Sequence, residues 1–357
     1  MFWRKKKKIF VGMSGGVDSS VVALLLKKKG FEVYGGFIRG YNVDGCQDKD
    51  MEDARAVAQH IGIPFYVFDF EKEYKERVVD YFIDGYRRGI TPNPDVLCNS
   101  AIKFGLFYDA TIAAGADYVA TGHYVKKGGG LRGRGKIFEA KDKNKDQTYF
   151  LWQVPRKRFE KILFPLGNLL KNEVRDIARK ARLPVADKKD SQGVCFLGKF
   201  DFDEFLKQHI PVRKGDVIDT SGKKVGEHDG VWFYTIGQGH GLTNTAGKKF
   251  YVVEKDFERN QLIVAYENDK ALYSKEVSLS DLNFLNSAFE RKLNNGDTVL
   301  AFSRIRYRQS LEKALLLKKG SEVILTFEKE SKLFPASGQS AVFYNKKGEM
   351  LGGGIIK

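Results

Sequence analysis

Apolar positions in the first third of the chain recur in short runs separated by glycine turns. Residues 8–13 form a short, mainly apolar run that meets Ser14-Gly15-Gly16, and 19–29 have helical composition until Gly30 stops them. The pattern then repeats. Residues 32–38 read as a strand, and in 51–61 Ala54, Val57, Ala58 and Ile61 fall at i, i+3, i+4 and i+7, one helical face closed by Gly62. Residues 63–70 predict a third strand. Tyr74, Val78, Tyr81 and Phe82 mark the stripe of a third helix, and 101–114 with 117–121 predict a fourth helix and strand. Such alternation predicts an α/β domain with a parallel sheet covered on both faces. Ligands of open α/β sheets bind beyond the carboxyl ends of the strands, where the Ser14 loop, the 38–46 loop and 121–124 would gather.

Further on the texture changes. Residues 126–145 are glycine-rich and basic, which predicts a mobile connection, and 172–182 predict a helix with Val174, Ile177, Ala178 and Ala181 apolar and many cations around them. That helix is either a solvated face or an RNA contact. From about residue 212 onward, short β-like runs broken by Gly, Asn and Asp predict compact all-β modules ending in a barrel.

The chain has 357 residues, room for two or three domains, and 61 basic against 45 acidic residues give a net charge of +16. A surface this positive favours phosphate-rich partners, with nucleic acid first. The longest strongly apolar run, 21–26, is far short of the roughly 20 residues a membrane helix needs. Three cysteines, Cys46, Cys98 and Cys195, form no pattern of zinc spacing, and the odd count suits a reducing cytoplasm.

The densest signal is Gly12-Met13-Ser14-Gly15-Gly16-Val17-Asp18-Ser19-Ser20. Coming off a strand and opening a helix, it offers backbone N–H groups to an anion. It lacks the lysine of the kinase-type phosphate loop and does not match GxGxxG. Instead it resembles the PP-loop of the ATP pyrophosphatase superfamily, which implies adenylylation of an oxygen with release of pyrophosphate. In that resemblance Asp18 positions Mg2+ while Ser14 and Ser19 donate to phosphate. Cys98 follows two prolines, just before a helix expected to start near Ser100. The helix terminus and Lys103 would favour its thiolate, whereas Asp95, a candidate acid or base, would oppose it. Sequence leaves that contest open. Cys195 lies in a polar, glycine-containing stretch that favours access over burial.

Together SGGVDSS, TPNPDVLCN at 91–99, IKFG at 102–105, ATGHY at 120–124, KDQTYFL at 145–151, DSQGVCFL at 190–197, YTIGQ at 234–238, RYRQ at 306–309 and SGQSAVFY at 337–344 resemble the tRNA-specific 2-thiouridylase family over nearly the whole chain. The resemblance implies an N-terminal PP-loop domain over 1–165, with 190–205 returning to its site. It implies a central tRNA-recognition domain over 166–272 and a C-terminal β-barrel over 273–357. It implies ATP on Gly12, Met13, Ser14, Gly15, Gly16, Val17, Asp18 and Ser19, with Ile38 and Gly122, and the target uridine against Asn93, Pro94 and Asp95. Cys98 and Cys195 would be the catalytic pair, joined transiently as a disulfide, with Asp95 as acid or base. Cys195 would receive a persulfide from a sulfur carrier protein or cysteine desulfurase, and either that persulfide or a sulfide freed by Cys98 would attack the uridine. tRNA contacts would fall on His123, Lys145, Asp146, Gln147, Arg306, Tyr307, Arg308 and Gln339.

Several of these residues have plainer readings. Arg304, Arg306 and Arg308 alternate with Ile305 and Tyr307, a strand face of guanidinium groups that suits phosphate or merely blocks edge pairing. Tyr149, Phe150 and Trp152 suit stacking on a base or, more simply, a core. Cys46 has no assigned role. Family members read Phe-Met-Lys-Asn-Trp where this chain has Phe37-Ile38-Arg39-Gly40-Tyr41, which leaves main-chain contact with adenine but alters the side chains there. Two classes compete: a PP-loop ligase or amidotransferase acting on a small molecule, which would need neither Cys195 nor the basic β modules, and a non-catalytic tRNA-binding protein that keeps the loop as a relic.

Overall fold

The computed structural model describes residues 6–41, 45–128, 135–190, 201–239, 249–331 and 334–357. The chain divides into two compact units, the first formed by 1–79, 94–199 and 347–350 and the second by the remainder.

In the first unit, β1 (Lys8–Gly12), β2 (Glu32–Arg39), β3 (Phe65–Asp69), β4 (Tyr118–Thr121) and β7 (Ile162–Leu163) form a parallel sheet of order β3-β2-β1-β4-β7. Helices α1 (Val17–Lys28) and α2 (Cys46–Ile61) and the helix Lys171–Lys180 cover one face. Their buried stripes, Val21 and Val22, Val57 and Ala58, Val174 and Ala178, meet Ile9 and Val11 of β1 in one core. Burying the valines of these stripes contributes about 1.5–3 kcal/mol each, far more than their helix propensities do. Phe107 and Val119 pack with Phe10 on the opposite face. Val174 and Ala178 complete the core against which α1 is packed.

Two expectations are corrected here. The basic stretch after Val125 is an antiparallel hairpin of β5 (Val125–Lys127) and β6 (Ile137–Glu139), not a mobile connection as a whole. Val125 and Ile137 are buried, a pattern that the surrounding Gly and Lys masked. The outer part, 129–134, lies outside the described residues. The helix that carries Cys98 begins at Pro94, not near Ser100, and runs through Pro94–Leu97, the wide π-type turns of Cys98–Phe107, and Tyr108–Ala113. Proline suits the first helical position, where its missing N–H has no intrahelical partner to lose.

In the second unit, β8 (Gly215–Asp219), β9 (Lys224–His228), β10 (Phe250–Asp256) and β11 (Gln261–Tyr266) make a sheet of order β10-β11-β8-β9. The expected barrel is closed, in the order β12 (Ser274–Phe284), β15 (Glu322–Ser331), β14 (Glu312–Lys319), β13 (Val299–Arg304), β16 (Ser340–Tyr344), β17 (Met350–Ile356). Leu279, Leu316, Leu325 and Phe343 fill it, with Phe289 and Leu293 of the helix Ser287–Asn294 packed in. The arginine-rich segment is corrected as well. The strand ends at Arg304 and the chain turns, with Arg308 at φ 65, so Arg304, Arg306 and Arg308 do not share a strand face. No helix among the described residues is long and apolar enough to cross a membrane.

Candidate active site

At the carboxyl end of β1 the chain makes a tight loop into α1. Gly16 is the N-cap, extended at φ −97 and ψ 167, and no side chain caps the helix, which leaves its first N–H groups aimed at the loop. The Ser14 N–H donates to Ser19 Oγ at 3.1 Å, and the two hydroxyls stand 3.4 Å apart. Gly15 has φ +70, and a Cβ there would lie 2.2 Å from the Asp50 carbonyl oxygen, so only glycine lets the loop close on α2. Met13 and Val17 are core residues that offer a ligand main chain alone. Ile38 lies near the end of β2, and Gly122 follows β4 directly against the Ser19 N–H.

Around this loop stands a charge network that the sequence reading did not assemble. Asp18 accepts from the Tyr124 hydroxyl at 2.8 Å and from Lys171 Nζ at 2.8 Å on each oxygen. Lys171 also pairs with Asp190 at 2.9 Å, and Asp190 pairs with Lys145 at 2.7 Å and Arg175 at 2.8 Å. Burial opposes the charge on Asp190, but its hydrogen bonds to Lys145 and Lys171 and their charges outweigh burial and bring its pKa down to about 2. Burial and the Asp18 carboxylate push the Tyr124 phenol far up, so it stays a proton donor to Asp18. On the other side, Lys188 donates to the Gly15 carbonyl at 3.1 Å and pairs with Asp50 at 2.7 Å and Asp53 at 2.5 Å, which ties the loop to α2.

The donor set suits a cation carried in with phosphate. Among the described residues no cluster of three or more His, Cys, Asp or Glu side chains forms a metal cage. Mg2+ asks for little more than one or two carboxylates plus phosphate oxygens, and Asp18 supplies one.

Cys98 is buried, and Asp95 and Lys103 lie on the same helical run. Burial raises its thiol pKa. Lys103 and a hydrogen bond from Tyr74 act in the other direction, and Asp95 adds to the rise, which resolves toward the thiol the contest left open by the sequence. Tyr74, on the helix Glu71–Tyr74, packs its ring on Gly40, just beyond β2. The line Gly40, Tyr74, Cys98 thus brings the thiol to the carboxyl edge of the sheet. The wide turns depend on Gly105, where a Cβ would sit 2.9 Å from the Ser100 carbonyl oxygen. Cys195 and its stretch, 191–200, lie outside the described residues, as does the Cys46 side chain.

The remaining expected positions are mostly anchored within the protein. His123 is 8% exposed, with Nδ1 hydrogen-bonded to the Thr121 hydroxyl at 2.8 Å. Burial, then Lys103, holds its pKa well below the usual range, so the ring is neutral and packed beside Phe104 and Phe164. Asp146 is buried and accepts from the Ala140 N–H at 2.9 Å and the Thr148 hydroxyl at 2.7 Å. Gln147 accepts from the Tyr124 N–H at 3.0 Å. Tyr149 and Trp152 are core residues. In the second unit, Arg304 is buried over the Tyr344 ring, and Arg306 donates to the carbonyls of Ile236 at 2.6 Å and Phe334 at 3.3 Å. Arg308 is exposed, its guanidinium over the half-buried Tyr307. Gln339 Nε2 donates to the Thr91 carbonyl at 3.1 Å, and the Thr91 N–H to the Ser337 carbonyl at 2.7 Å, so the 337–339 turn grips the chain just before Asn93.

Comparison with known proteins agrees along the full length. Residues 7–199 match a family model described as a tRNA methyl transferase HUP domain, 203–266 a tRNA methyl transferase PRC-barrel domain, and 274–356 an aminomethyltransferase beta-barrel domain. The tRNA-specific 2-thiouridylase MnmA 1 of Geobacillus kaustophilus is 44% identical over 99% of this chain and 96% of its own. The chain belongs to the tRNA-specific 2-thiouridylase family. The MnmA proteins of Streptococcus sanguinis and Bacillus subtilis are each 42% identical over 98% of this chain, covering 95% and 94% of their own. In this family member, sequence motifs already contained Tyr124 and Asp190. Lys171 escaped notice because it is 153 residues from Asp18, inside a run of cations that reads as a solvated face.

Proposed function

We propose that the protein thiolates the wobble uridine of the tRNAs for Lys, Glu and Gln at C2, using ATP. The observation that carries the reading is the pairing, within one unit, of a phosphate-type loop at the end of β1 with a buried thiol, Cys98, held at the same edge of the sheet through Tyr74 and Gly40.

ATP binds along Gly12 to Ser19, with Ile38 and Gly122 bordering the adenosine side. Ser14, Ser19 and the α1 N–H groups hold phosphate, and Asp18 holds Mg2+, which neutralises phosphate charge when bound. The uridine meets Asn93, Pro94 and Asp95. Its O2 attacks the α-phosphorus, and pyrophosphate leaves with the electron pair of the broken bond. Sulfur arrives as a persulfide on Cys195 from a persulfide donor protein. In one order, the terminal sulfur attacks C2, AMP leaves, and the Cys98 thiolate then attacks Cys195 Sγ, freeing the thiolated base. In the other, Cys98 first attacks Cys195 Sγ and releases hydrosulfide, which attacks C2. Both end in a Cys98–Cys195 disulfide that an external dithiol reduces, a requirement met in the cytoplasm. Burial keeps Cys98 protonated until substrate arrives, with Asp95 on the same helical run as the candidate proton acceptor.

The test is 2-thiouridine formation, read by nucleoside mass analysis after incubation with ATP, a sulfur source and unmodified tRNA. Cys98→Ser and Cys195→Ser should each abolish product. Undiminished product in either variant removes that cysteine from the mechanism. Pyrophosphate release without tRNA, indifferent to Cys195→Ser, would favour a small-molecule ligase or amidotransferase.

A further inference from the structure

The loop after β1 has no lysine of its own, yet a lysine stands against it. Lys171 opens the helix Lys171–Lys180 and sends Nζ to both oxygens of Asp18 at 2.8 Å and to Asp190 at 2.9 Å, with its side chain 14% exposed. Its main-chain N–H is held by Asp142 at 3.0 Å, which fixes the base of the residue beside the loop. Asp190 needs this cation least, since Lys145 and Arg175 also hold it. Lys145, Lys171 and Arg175 share the two carboxylates Asp18 and Asp190 beside a loop built for an anion.

The geometry points to Lys171 as the phosphate-binding lysine of this site, supplied from a distant helix in place of the one the loop lacks. The assignment rests on the nucleotide reading above and deepens it. In the unliganded protein Asp18 neutralises Lys171. When polyphosphate enters, Nζ moves from Asp18 to a phosphate oxygen on the leaving side, and Asp18 is released to the accompanying cation. As the O2–P bond forms and the bond from Pα to the bridging oxygen breaks, the departing pyrophosphate gains negative charge. The ammonium meets that charge directly, with no proton transferred.

The test is calorimetric binding of ATP, AMP and inorganic pyrophosphate to the full chain. Lys171→Met keeps the apolar stem. It should weaken ATP and pyrophosphate about 10- to 100-fold, the worth of one charge-assisted hydrogen bond, and leave AMP nearly unchanged. Lys141→Met, which removes a like charge paired with Glu173 on the same helix, serves as the control and should change none of the three. A second variant does not depend on losing a cation. Asp18→Asn frees Lys171 from its competitor, so metal-free pyrophosphate should bind several-fold more tightly, and adding Lys171→Gln should erase the gain. Wild-type pyrophosphate affinity in Lys171→Met, or no gain in Asp18→Asn, overturns the assignment while the nucleotide reading stands. A wild-type chain that binds neither ATP nor pyrophosphate overturns both.

Discussion

Gly40→Ala tests whether the contact that carries Cys98 to the sheet edge is as tight as it looks. A Cβ at Gly40 would lie 2.8 Å from Tyr74 Cδ2 and 3.2 Å from both Cε2 and Cγ. Those atoms belong to the body of a ring that is 6% exposed, so Tyr74 has no room to swing aside. Forcing one methyl into such a site costs about 1–3 kcal/mol. In a unit of the size of the one that holds Gly40 and Tyr74, that lowers the thermal midpoint by roughly 2–12 °C, at about 2–4 °C per kcal/mol. Gly40→Asn, which installs the residue of the family pattern, should cost at least as much. The chemical readout is separate. A displaced Tyr74 no longer donates to Cys98, and since that bond lowers the thiol pKa, alkylation of Cys98 at fixed pH should slow. A double-mutant cycle closes the argument: in a Tyr74→Ala background the cost of Gly40→Ala should vanish to within about 0.5 kcal/mol. Equal midpoints for Gly40→Ala and wild type, or a full cost persisting without the ring, would refute the steric account.

Other consequences are open to direct measurement. Because burial raises the Cys98 pKa, its alkylation rate, followed by mass spectrometry in a Cys46→Ser, Cys195→Ser chain, should still be climbing above pH 9. Lys103→Met should move the rise to higher pH and Asp95→Asn to lower pH; a plateau below pH 8 would contradict the burial argument. Asp190 is ionised down to about pH 2 in the fold, against about 3.9 when unfolded, so its contribution to stability is complete above pH 4 and is lost as the pH falls toward 2. Asp190→Asn should flatten that limb of the stability profile, measured by denaturant unfolding at each pH. Finally, Arg308→Ala should weaken tRNA binding and reduce the slope of log affinity against log salt by about 1, whereas Arg306→Ala, which strips two carbonyls of their donor, should chiefly lower thermal stability. Affinity unchanged between low and moderate salt would sink the role of the basic surface.

Local periodicity carried most of the architecture into view. The 3.6-residue stripe of α2 and the apolar run of β1 are visible because each element buries a continuous face, and the glycine stops mark real turns. What escaped notice has identifiable causes. Pro94 reads as a stiff extended residue, yet it sits where a helix tolerates it, so Cys98 lies inside a helical run and not at its mouth. Alternating Arg304, Arg306 and Arg308 mimic a strand, but the chain turns after Arg304, and two of the three guanidinium groups are claimed by Tyr344 and by backbone carbonyls. Lys171, Asp190 and Lys188 became site residues only when folding brought them to the β1 loop, a distance that no local pattern encodes. The burial of Cys98 and His123, which decides their protonation, is likewise a tertiary property.

The closed barrel also imposes an order in time. Leu279 of β12 finds its partner Ile356 in β17, the last of the six barrel strands in chain order. A nascent chain that has delivered β12 through β16 holds an open curl with two unpaired margins, rows of unmet N–H and C=O groups that invite strands from other chains. Only when β17 emerges from the ribosome can the cylinder seal, so the hazard of misassembly lasts until that sixth strand is delivered.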